Sequence, residues 1–156
     1  ATLALRAEFR PAVLPIPAGW VHDGWIALVI AALADGVALD EPLVEYRQHE
    51  RQQIGEQPRT LIEQYRRGCR RTAADFQQIG ANYRAAHDRL AAQAGRLKSP
   101  AILDALLRKA EHFEAKARMR SGRRGRLRLV LGEFVHGHYV RYSSGWRSLA
   151  QDLFCS

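Results

Sequence analysis

The chain has 156 residues, of which 47% are hydrophobic and 26% charged, a balance typical of one globular domain and unlike a disordered segment. No stretch approaches the roughly 18 consecutive apolar residues of a membrane span, so the sequence predicts no transmembrane helix. The formal net charge of +8 is uneven, because residues 98–156 hold 12 basic and 5 acidic residues. Seven basic residues fall between positions 116 and 128, a run that either attracts lipid or nucleic-acid phosphate or is a solvated face.

Residues 1–57 have a mixed α/β pattern. Positions 2–6 alternate like a strand, without the charged start and apolar middle of a signal peptide, so we expect the chain to begin in mid-fold. Prolines then break the chain into an irregular connection. Residues 25–34 are apolar nearly all round, which is typical of a buried helix. Two short strands are predicted to follow at 37–39 and 43–46.

Residues 58–156 have a helical period instead. A seven-residue repeat of apolar positions predicts one long helix over 60–97, more than about 50 Å in length, with a seam formed by Ile62, Cys69, Phe76, Tyr83, Leu90 and Leu97. Ser99-Pro100 then restarts a helix, with Ser as the N-cap and Pro first, and this helix is predicted to pack on the seam as an antiparallel hairpin. Ser121-Gly122 ends it, and shorter helices are predicted over 126–135 and 143–154.

The cysteines bear on the compartment in which the protein works. Cys69 and Cys155 are 86 residues apart and lack the spacing of a metal site. They suit a reducing environment better than a disulfide framework, so we predict two unpaired thiols and a cytoplasmic location.

One candidate site lies where the apolar helix begins. Asp23 follows a proline-rich connection and is flanked by Trp20 and Trp25. A carboxylate at such a boundary either caps the helix or, between aromatic walls, acts as a general base toward a hydroxyl. His22 is interpreted as a neighbour that orients by hydrogen bonding.

A second pair of candidates follows the last predicted strand. Arg47 and His49 would lie on the same face of an extended segment. Arginine suits a diphosphate and a neutral imidazole suits a divalent metal, although both also occur as ordinary surface residues.

Several ordered blocks resemble bacterial family 2 glycosyltransferases, especially their rhamnosyltransferase-like branch. The resemblance is strong over residues 1–55 and extends to the C-terminal Tyr139-Val-Arg-Tyr-Ser-Ser-Gly-Trp146. The N-terminal blocks that carry it are Leu14-Pro-Ile-Pro17, Trp20-Val-His-Asp-Gly-Trp25, Leu39-Asp-Glu-Pro-Leu43 and Tyr46-Arg-Gln-His49. Two departures weaken the match: Glu50-Arg-Gln52 stands where the family commonly has Gly and Asn, and no Asp-x-Asp motif occurs in the chain.

The resemblance over residues 1–55, together with the helical period beyond residue 58, predicts a mainly α chain with a small α/β N-terminal part. Residues 1–57 would be the C-terminal, acceptor-side part of a GT-A catalytic domain, and residues 58–156 a helical extension, with a hairpin over about 60–120 and basic helices over 121–156. The full-length enzyme would move a sugar, with inversion, from a nucleoside diphosphate to a saccharide or lipid-linked saccharide in cell-surface polysaccharide synthesis. The fragment alone would be inactive, because the nucleotide-sugar-binding half is missing.

The resemblance also implies roles for single residues. Asp23 would be the general base, with Trp20, His22 and Trp25 in the acceptor pocket. Arg47 would contact the diphosphate and His49 a divalent metal, Mg²⁺ or Mn²⁺, in the full-length enzyme, whereas the fragment would hold no cofactor.

Partners follow from the helical extension. Its basic segment either docks on the anionic inner face of the bacterial membrane or supports the catalytic part, and apolar surface left uncovered predicts self-association. We expect no nucleic-acid partner. The alternative is a non-enzymatic helical interaction or nucleic-acid-binding module that uses the basic C-terminal segment.

Overall fold

The computed structural model describes residues 3–43, 60–122 and 125–155. These ranges are mainly helical, as predicted, and hold no β-strand. In chain order the helices are α1 (Arg10–Val13), α2 (His22–Leu33), α3 (Leu61–Cys69), α4 (Ala73–Ala91), α5 (Ala101–Ser121), α6 (Arg126–Val135), α7 (His138–Tyr142) and α8 (Trp146–Phe154), with 3-10 turns at Ala7–Phe9 and Ala94–Arg96.

The strands predicted near the N-terminus are not formed in the described residues. Residues 3–6 and 37–39 have no regular structure, although the helix between them forms as predicted. A strand requires a neighbour for its backbone N–H and C=O groups, and the described part of the chain supplies none to these segments. The strand predicted over 43–46 lies, apart from Leu43, outside the described residues.

The long helix predicted over 60–97 is divided into α3 and α4. Thr72 starts α4 with a capping box, in which its hydroxyl accepts from the N–H of Asp75 (3.2 Å) and the Asp75 carboxylate accepts from the N–H of Thr72 (2.7 Å). The prediction of a single helix was therefore wrong, because reciprocal capping at Thr72 stabilises a new N-terminus there. The repeat itself is partly confirmed: Phe76 and Leu90 are buried, whereas Ile62 is 63% exposed.

Helices α4 and α5 form the predicted antiparallel hairpin. The ring of Phe76 stacks on that of Phe113 near one end, and Leu90 packs in the same cluster as Leu106 near the other. The axes approach closely at Gly80, where an added Cβ would lie 3.0 Å from Glu114 Cγ. Glycine at this position permits the close contact between the two helices.

Two hydrophobic clusters use opposite parts of this hairpin. One joins it to the N-terminal helices and contains Ala12, Val13, Trp25, Val29, Ala32, Ala86, Leu90 and Leu106. The other joins α5 to the C-terminal helices and contains Ala115, Met119, Val130, Tyr139 and Leu149. The first cluster therefore contains residues from both predicted parts of the chain, 1–57 and 58–156.

A disulfide joins Cys69, the last residue of α3, to Cys155 at the end of α8. The prediction of two unpaired thiols was wrong, because tertiary packing of α3 against α8 brings together two residues that are 86 positions apart. Since disulfides persist in oxidising environments, the cysteines no longer favour a reducing compartment.

The basic run over 116–128 is partly turned inward. Lys116 is buried, forms an ion pair with the buried carboxylate of Asp152 and donates to Ser148 Oγ (3.1 Å). Arg120 approaches the same carboxylate to 3.8 Å, and Arg126 donates to the backbone oxygen of Asp152 (2.6 Å). Burial lowers the pKa of Lys116, an effect that the charge of Asp152 opposes. These three side chains are therefore structural and not part of a solvated face.

Removing the buried negative charge should destabilise the fold strongly. We expect Asp152→Asn to lower the free energy of unfolding by about 3–5 kcal/mol, because Lys116 and Arg120 would remain buried without a counter-charge. Urea denaturation measures this change. The matched control is Asp104→Asn, whose carboxylate is 64% exposed and pairs with Arg108 one turn away, and its effect should stay within about 0.5 kcal/mol. Equal losses of unfolding free energy in the two variants would contradict the conclusion that Asp152 neutralises buried positive charge.

Candidate functional site

The first candidate site is the beginning of α2. Val21 occupies the N-cap position without a side-chain cap, so Asp23 is not the capping residue but lies in the first turn. Its carboxylate accepts a hydrogen bond from the N–H of Gly24 (2.7 Å), and negative charge is favourable at this end of a helix. Asp23 is half-buried and the neighbouring His22 is exposed. The carboxylate is therefore held at the protein surface.

The two tryptophans have different environments. Trp25 is 0% exposed, and its indole N–H donates to the backbone oxygen of Val13 (2.7 Å). Trp20 is half-buried, lies with its ring centroid 5.7 Å from that of Trp25, and donates to the backbone oxygen of Asn82 (3.1 Å). Trp25 is thus enclosed by the core, and of the two tryptophans predicted to line the acceptor pocket only Trp20 has accessible surface.

The predicted diphosphate and metal residues, Arg47 and His49, lie outside the described residues. Their relation to Asp23 stays a prediction.

An open apolar groove of about 1180 Å³ runs along the second face of α2. Ile26 and Ile30 line it from the helix, whereas Trp25 and Val29 face the core. Asp23 precedes Ile26 by three residues, so it lies at the start of the groove-facing side of the helix. The opposite wall is formed by the irregular N-terminal segment and by the chain after α2: Leu3, Leu5, Phe9, Val37, Leu39 and Leu43.

A second cluster of polar groups joins α5, α6 and α7. His112 Nδ1 lies 2.5 Å from Glu133 Oε2, and His138 Nδ1 lies 2.9 Å from the same oxygen. His112 Nε2 lies 2.8 Å from Ser143 Oγ, just after α7. The side chain of His112 is fully buried, and those of Glu133 and His138 are 16% and 18% exposed. Three ligand-type atoms therefore converge beside a narrow opening to solvent.

The turn between α6 and α7 creates this convergence. Gly137 has φ +70°, a left-handed conformation that glycine adopts readily, and it directly precedes α7. This turn brings His138 back toward Glu133, five residues earlier. Burial alone would raise the pKa of Glu133, but hydrogen bonds from His112 and His138 outweigh it and hold that pKa below its usual range.

None of these three residues was among the predicted site residues. Glu133 and His138 lie on either side of a glycine turn and His112 is on the preceding helix, α5, so no fixed-spacing motif marks them. The one signal in the sequence was His112, a polar residue next to Phe113 within the apolar stripe of α5. A single buried histidine does not indicate which residues it contacts.

A polar cavity of about 580 Å³ adjoins this cluster at Ser143. Lys116 and Phe113 contribute to its wall from α5, and Ser144 and Arg147 contribute from the start of α8 and the preceding turn. Arginines from α3 and the following turn, Arg67 and Arg71, complete a cationic lining.

No protein-family model, curated protein or solved structure matches this chain.

Replacing Trp25 should disrupt the core. We expect Trp25→Ala to lower the free energy of unfolding by about 3–5 kcal/mol, because it leaves a cavity between α2 and the hairpin and removes the hydrogen bond to Val13. Chemical denaturation followed by circular dichroism measures the loss. Trp146→Ala is the control, since that side chain is 72% exposed, and it should change stability by less than about 0.5 kcal/mol. A loss of stability in Trp25→Ala as small as that in Trp146→Ala would contradict the conclusion that the buried Trp25 side chain stabilises the core.

Proposed function

We propose that this chain is the acceptor-side part of an inverting, family 2-like glycosyltransferase, followed by a helical extension. The whole enzyme transfers a sugar from a nucleoside diphosphate to a hydroxyl of a saccharide or lipid-linked saccharide. The proposal rests on the ordered sequence blocks over residues 1–55 and on the environment of α2.

The uncovered face of α2 is the observation that carries the proposal. The helix is apolar on both sides: Trp25 and Val29 are buried in the core that includes the hairpin, whereas Ile26 and Ile30 pack against this core only in part and also line the open groove. An apolar groove that lies open along a helix can serve as an interface. The occupant we propose is the nucleotide-binding half of the same enzyme, whose strands would cover the groove and give residues 3–6 and 37–39 partners.

Asp23 is suitably located for the chemistry that we propose. It lies at the start of the groove-facing side of α2, and within the described residues its carboxylate has one hydrogen-bond donor, the N–H of Gly24. A second lone-pair direction can therefore accept the proton of an acceptor hydroxyl. As that proton moves to Asp23, the hydroxyl oxygen bonds to the anomeric carbon and the bond to the diphosphate oxygen breaks on the opposite face. The configuration at the anomeric carbon is thereby inverted.

The neighbouring residues complete the proposed site. His22 and Trp20 would contact the acceptor, Arg47 would bind the diphosphate, and His49 would ligate the Mg²⁺ or Mn²⁺ ion of the whole enzyme. The ion would neutralise charge on the leaving diphosphate, a contribution that belongs largely to the nucleotide-binding half.

Substitution of the base tests the proposal. In the enzyme that includes the nucleotide-binding half, Asp23→Asn should lower kcat by about 100-fold or more, because the isosteric amide cannot accept the proton. Sugar release and transfer are measured with the purified enzyme, and circular dichroism checks the fold.

The control is Asp104→Asn, which changes another aspartate in the first turn of a helix. It should leave kcat within about twofold, since its carboxylate pairs with Arg108 on the outside of α5. If Asp23→Asn retains the wild-type rate, Asp23 is not the base.

We further propose that α6 docks on an anionic membrane surface. One side of this helix exposes Leu127, Leu131, Phe134 and Val135, and the ring of Trp146 lies 5.5 Å from that of Phe134. Exposed Arg128 is on the same helix, and exposed Arg118 near the end of α5 adds positive charge. Among the residues that the structure describes, no helix is long and apolar enough to span a bilayer. This apolar side with flanking cations suits an interfacial contact.

This surface favours a lipid partner over nucleic acid. Three cations of the basic run contact Asp152 inside the protein and are not available to bind phosphate: Lys116, Arg120 and Arg126. The apolar side of α6 would gain nothing from contact with a charged nucleic-acid backbone.

The double variant Leu127→Glu/Leu131→Glu should lower the partition coefficient of the chain onto phosphatidylserine-containing vesicles by about tenfold or more, because two leucines would no longer insert. Sedimentation with vesicles measures it. The matched control is Leu61→Glu/Ile62→Glu on α3, whose side chains are 74% and 63% exposed against 72% and 62% for Leu127 and Leu131. Equal partitioning of both variants would refute docking through α6, and binding to duplex DNA but not vesicles would favour the nucleic-acid alternative.

A further inference from the structure

We propose that His112, Glu133 and His138 form a binding site for Zn²⁺ within the helical extension. The three ligand atoms, His112 Nδ1, Glu133 Oε2 and His138 Nδ1, all lie within 4.8 Å of one another. Zinc bonds of about 2.0–2.1 Å in tetrahedral geometry place ligand atoms roughly 3.4 Å apart. The observed separations of 2.5 and 2.9 Å need to open by less than about 1 Å to admit the ion.

The convergence of two imidazoles on one oxygen points to a metal. His112 comes from α5, Glu133 from α6 and His138 from α7, and both Nδ1 atoms are directed at the same Oε2. A carboxylate oxygen can accept two hydrogen bonds, so the two imidazoles can both bind Oε2 while no ion is bound. The same three atoms, brought together from three helices, also provide the ligand set of an ion, and two imidazoles with one carboxylate suit zinc better than magnesium or calcium.

A second sphere for the site is already present. Once His112 Nδ1 binds the ion, its proton resides on Nε2, which lies 2.8 Å from Ser143 Oγ and donates to it. This contact sets the tautomer and the ring orientation, as outer-sphere partners commonly do for zinc-bound histidines. The ring of His112 also packs edge-on against Tyr139, with centroids 5.4 Å apart. The ligand that is hardest to reorient is thus held in position before the ion arrives.

The site has an open side. His112 is fully enclosed, while Glu133 and His138 are partly exposed, so an ion can enter past the latter two residues. Three protein ligands leave a fourth position for water, which is the arrangement of catalytic and regulatory zinc sites more than of closed structural ones.

The same atoms also resemble a Ser-His-Glu hydrolytic triad. Ser143 Oγ, His112 and Glu133 are in hydrogen-bond order, and this order is the geometry of such a triad. His138 favours the zinc site, because it supplies a third ligand atom beside Glu133 Oε2, whereas a Ser-His-Glu triad is complete without it. The triad is therefore an outcome of the test and not the proposal.

This inference is independent of the proposed transferase activity. The ligands all lie in residues 112–138, far along the chain from Asp23, and differ from the metal site expected of the whole enzyme. Binding of zinc by the isolated chain can succeed or fail whatever the result for Asp23→Asn.

The experiment uses the purified 156-residue chain, freed of metal with a chelator and kept without reductant so that Cys69 and Cys155 stay bridged. Zinc is titrated calorimetrically, the Tm is recorded with and without zinc, and Co²⁺ serves as a visible probe of four-coordinate geometry. We expect one zinc per chain, a raised Tm and the absorption of tetrahedral Co²⁺.

His138→Ala should weaken zinc binding by about 100-fold or more and abolish the Co²⁺ spectrum, and Glu133→Gln should do the same. His136→Ala is the matched control, since His136 is an exposed histidine two residues away whose Nδ1 contacts the backbone oxygen of Gly132 (2.7 Å). It should retain wild-type affinity. Circular dichroism checks that each variant folds, and His138→Gln replaces His138→Ala if the alanine variant does not.

Three results would overturn the proposal. The first is a wild-type chain that binds zinc no more tightly than His138→Ala. The second is an equal loss of affinity in His136→Ala, which would indicate adventitious surface binding. The third is labelling of Ser143 by a fluorophosphonate in the metal-free chain without any zinc binding, which would assign the cluster to a hydrolytic triad.

Discussion

The close approach of α4 and α5 at Gly80 is the constraint on which the other contacts depend. An added Cβ would lie 3.0 Å from Glu114 Cγ and 3.3 Å from the backbone oxygen of Ala110, so a side chain at position 80 would push these neighbours away by a few tenths of an ångström. That packing lets the ring of Phe113 stack between those of Phe76 and Tyr83, at centroid distances of 6.3 and 6.0 Å. Two other parts of α5 pack against the rest of the protein. Leu106 packs in the cluster that holds α2, and Ala115 packs in the cluster that holds the C-terminal helices.

The helical part of the fold was largely predictable because local signals agree with tertiary packing there. The repeat through Phe76 and Leu90, the break at Gly122 and the restart near Pro100 all follow from side-chain periodicity and backbone preference. The division between α3 and α4 was missed although Thr72-Ala-Ala-Asp75 is a capping-box pattern, because the apolar repeat continues across it. Such a repeat marks which side of a helix is apolar and does not report whether the backbone is continuous.

The interpretations that failed depended on contacts between distant residues. A count of charges does not indicate which side chains turn inward, and Lys116 and Arg120 do so because Asp152 lies on a helix that packs beside them. The prediction of unpaired cysteines failed for the same reason, because the packing of α3 against α8, which brings Cys69 and Cys155 together, was not predicted. The cluster of His112, Glu133 and His138 was invisible for the same reason. The residues predicted to form a site at the start of α2 were selected by a continuous motif, and the structure separates them into Trp25 inside the core and Asp23 at the surface.

The disulfide gives the helical extension a closed covalent topology. The segment from Cys69 to Cys155 is a ring that contains α4 to α8, the buried ion pairs and the histidine cluster. A protease that cuts once within this ring opens a loop without releasing a fragment, and the two products stay attached until the bridge is reduced. Residues 69–155 therefore behave toward proteolysis as a single connected unit, and their resistance to dissociation after one cut is independent of the noncovalent contacts that shape the fold.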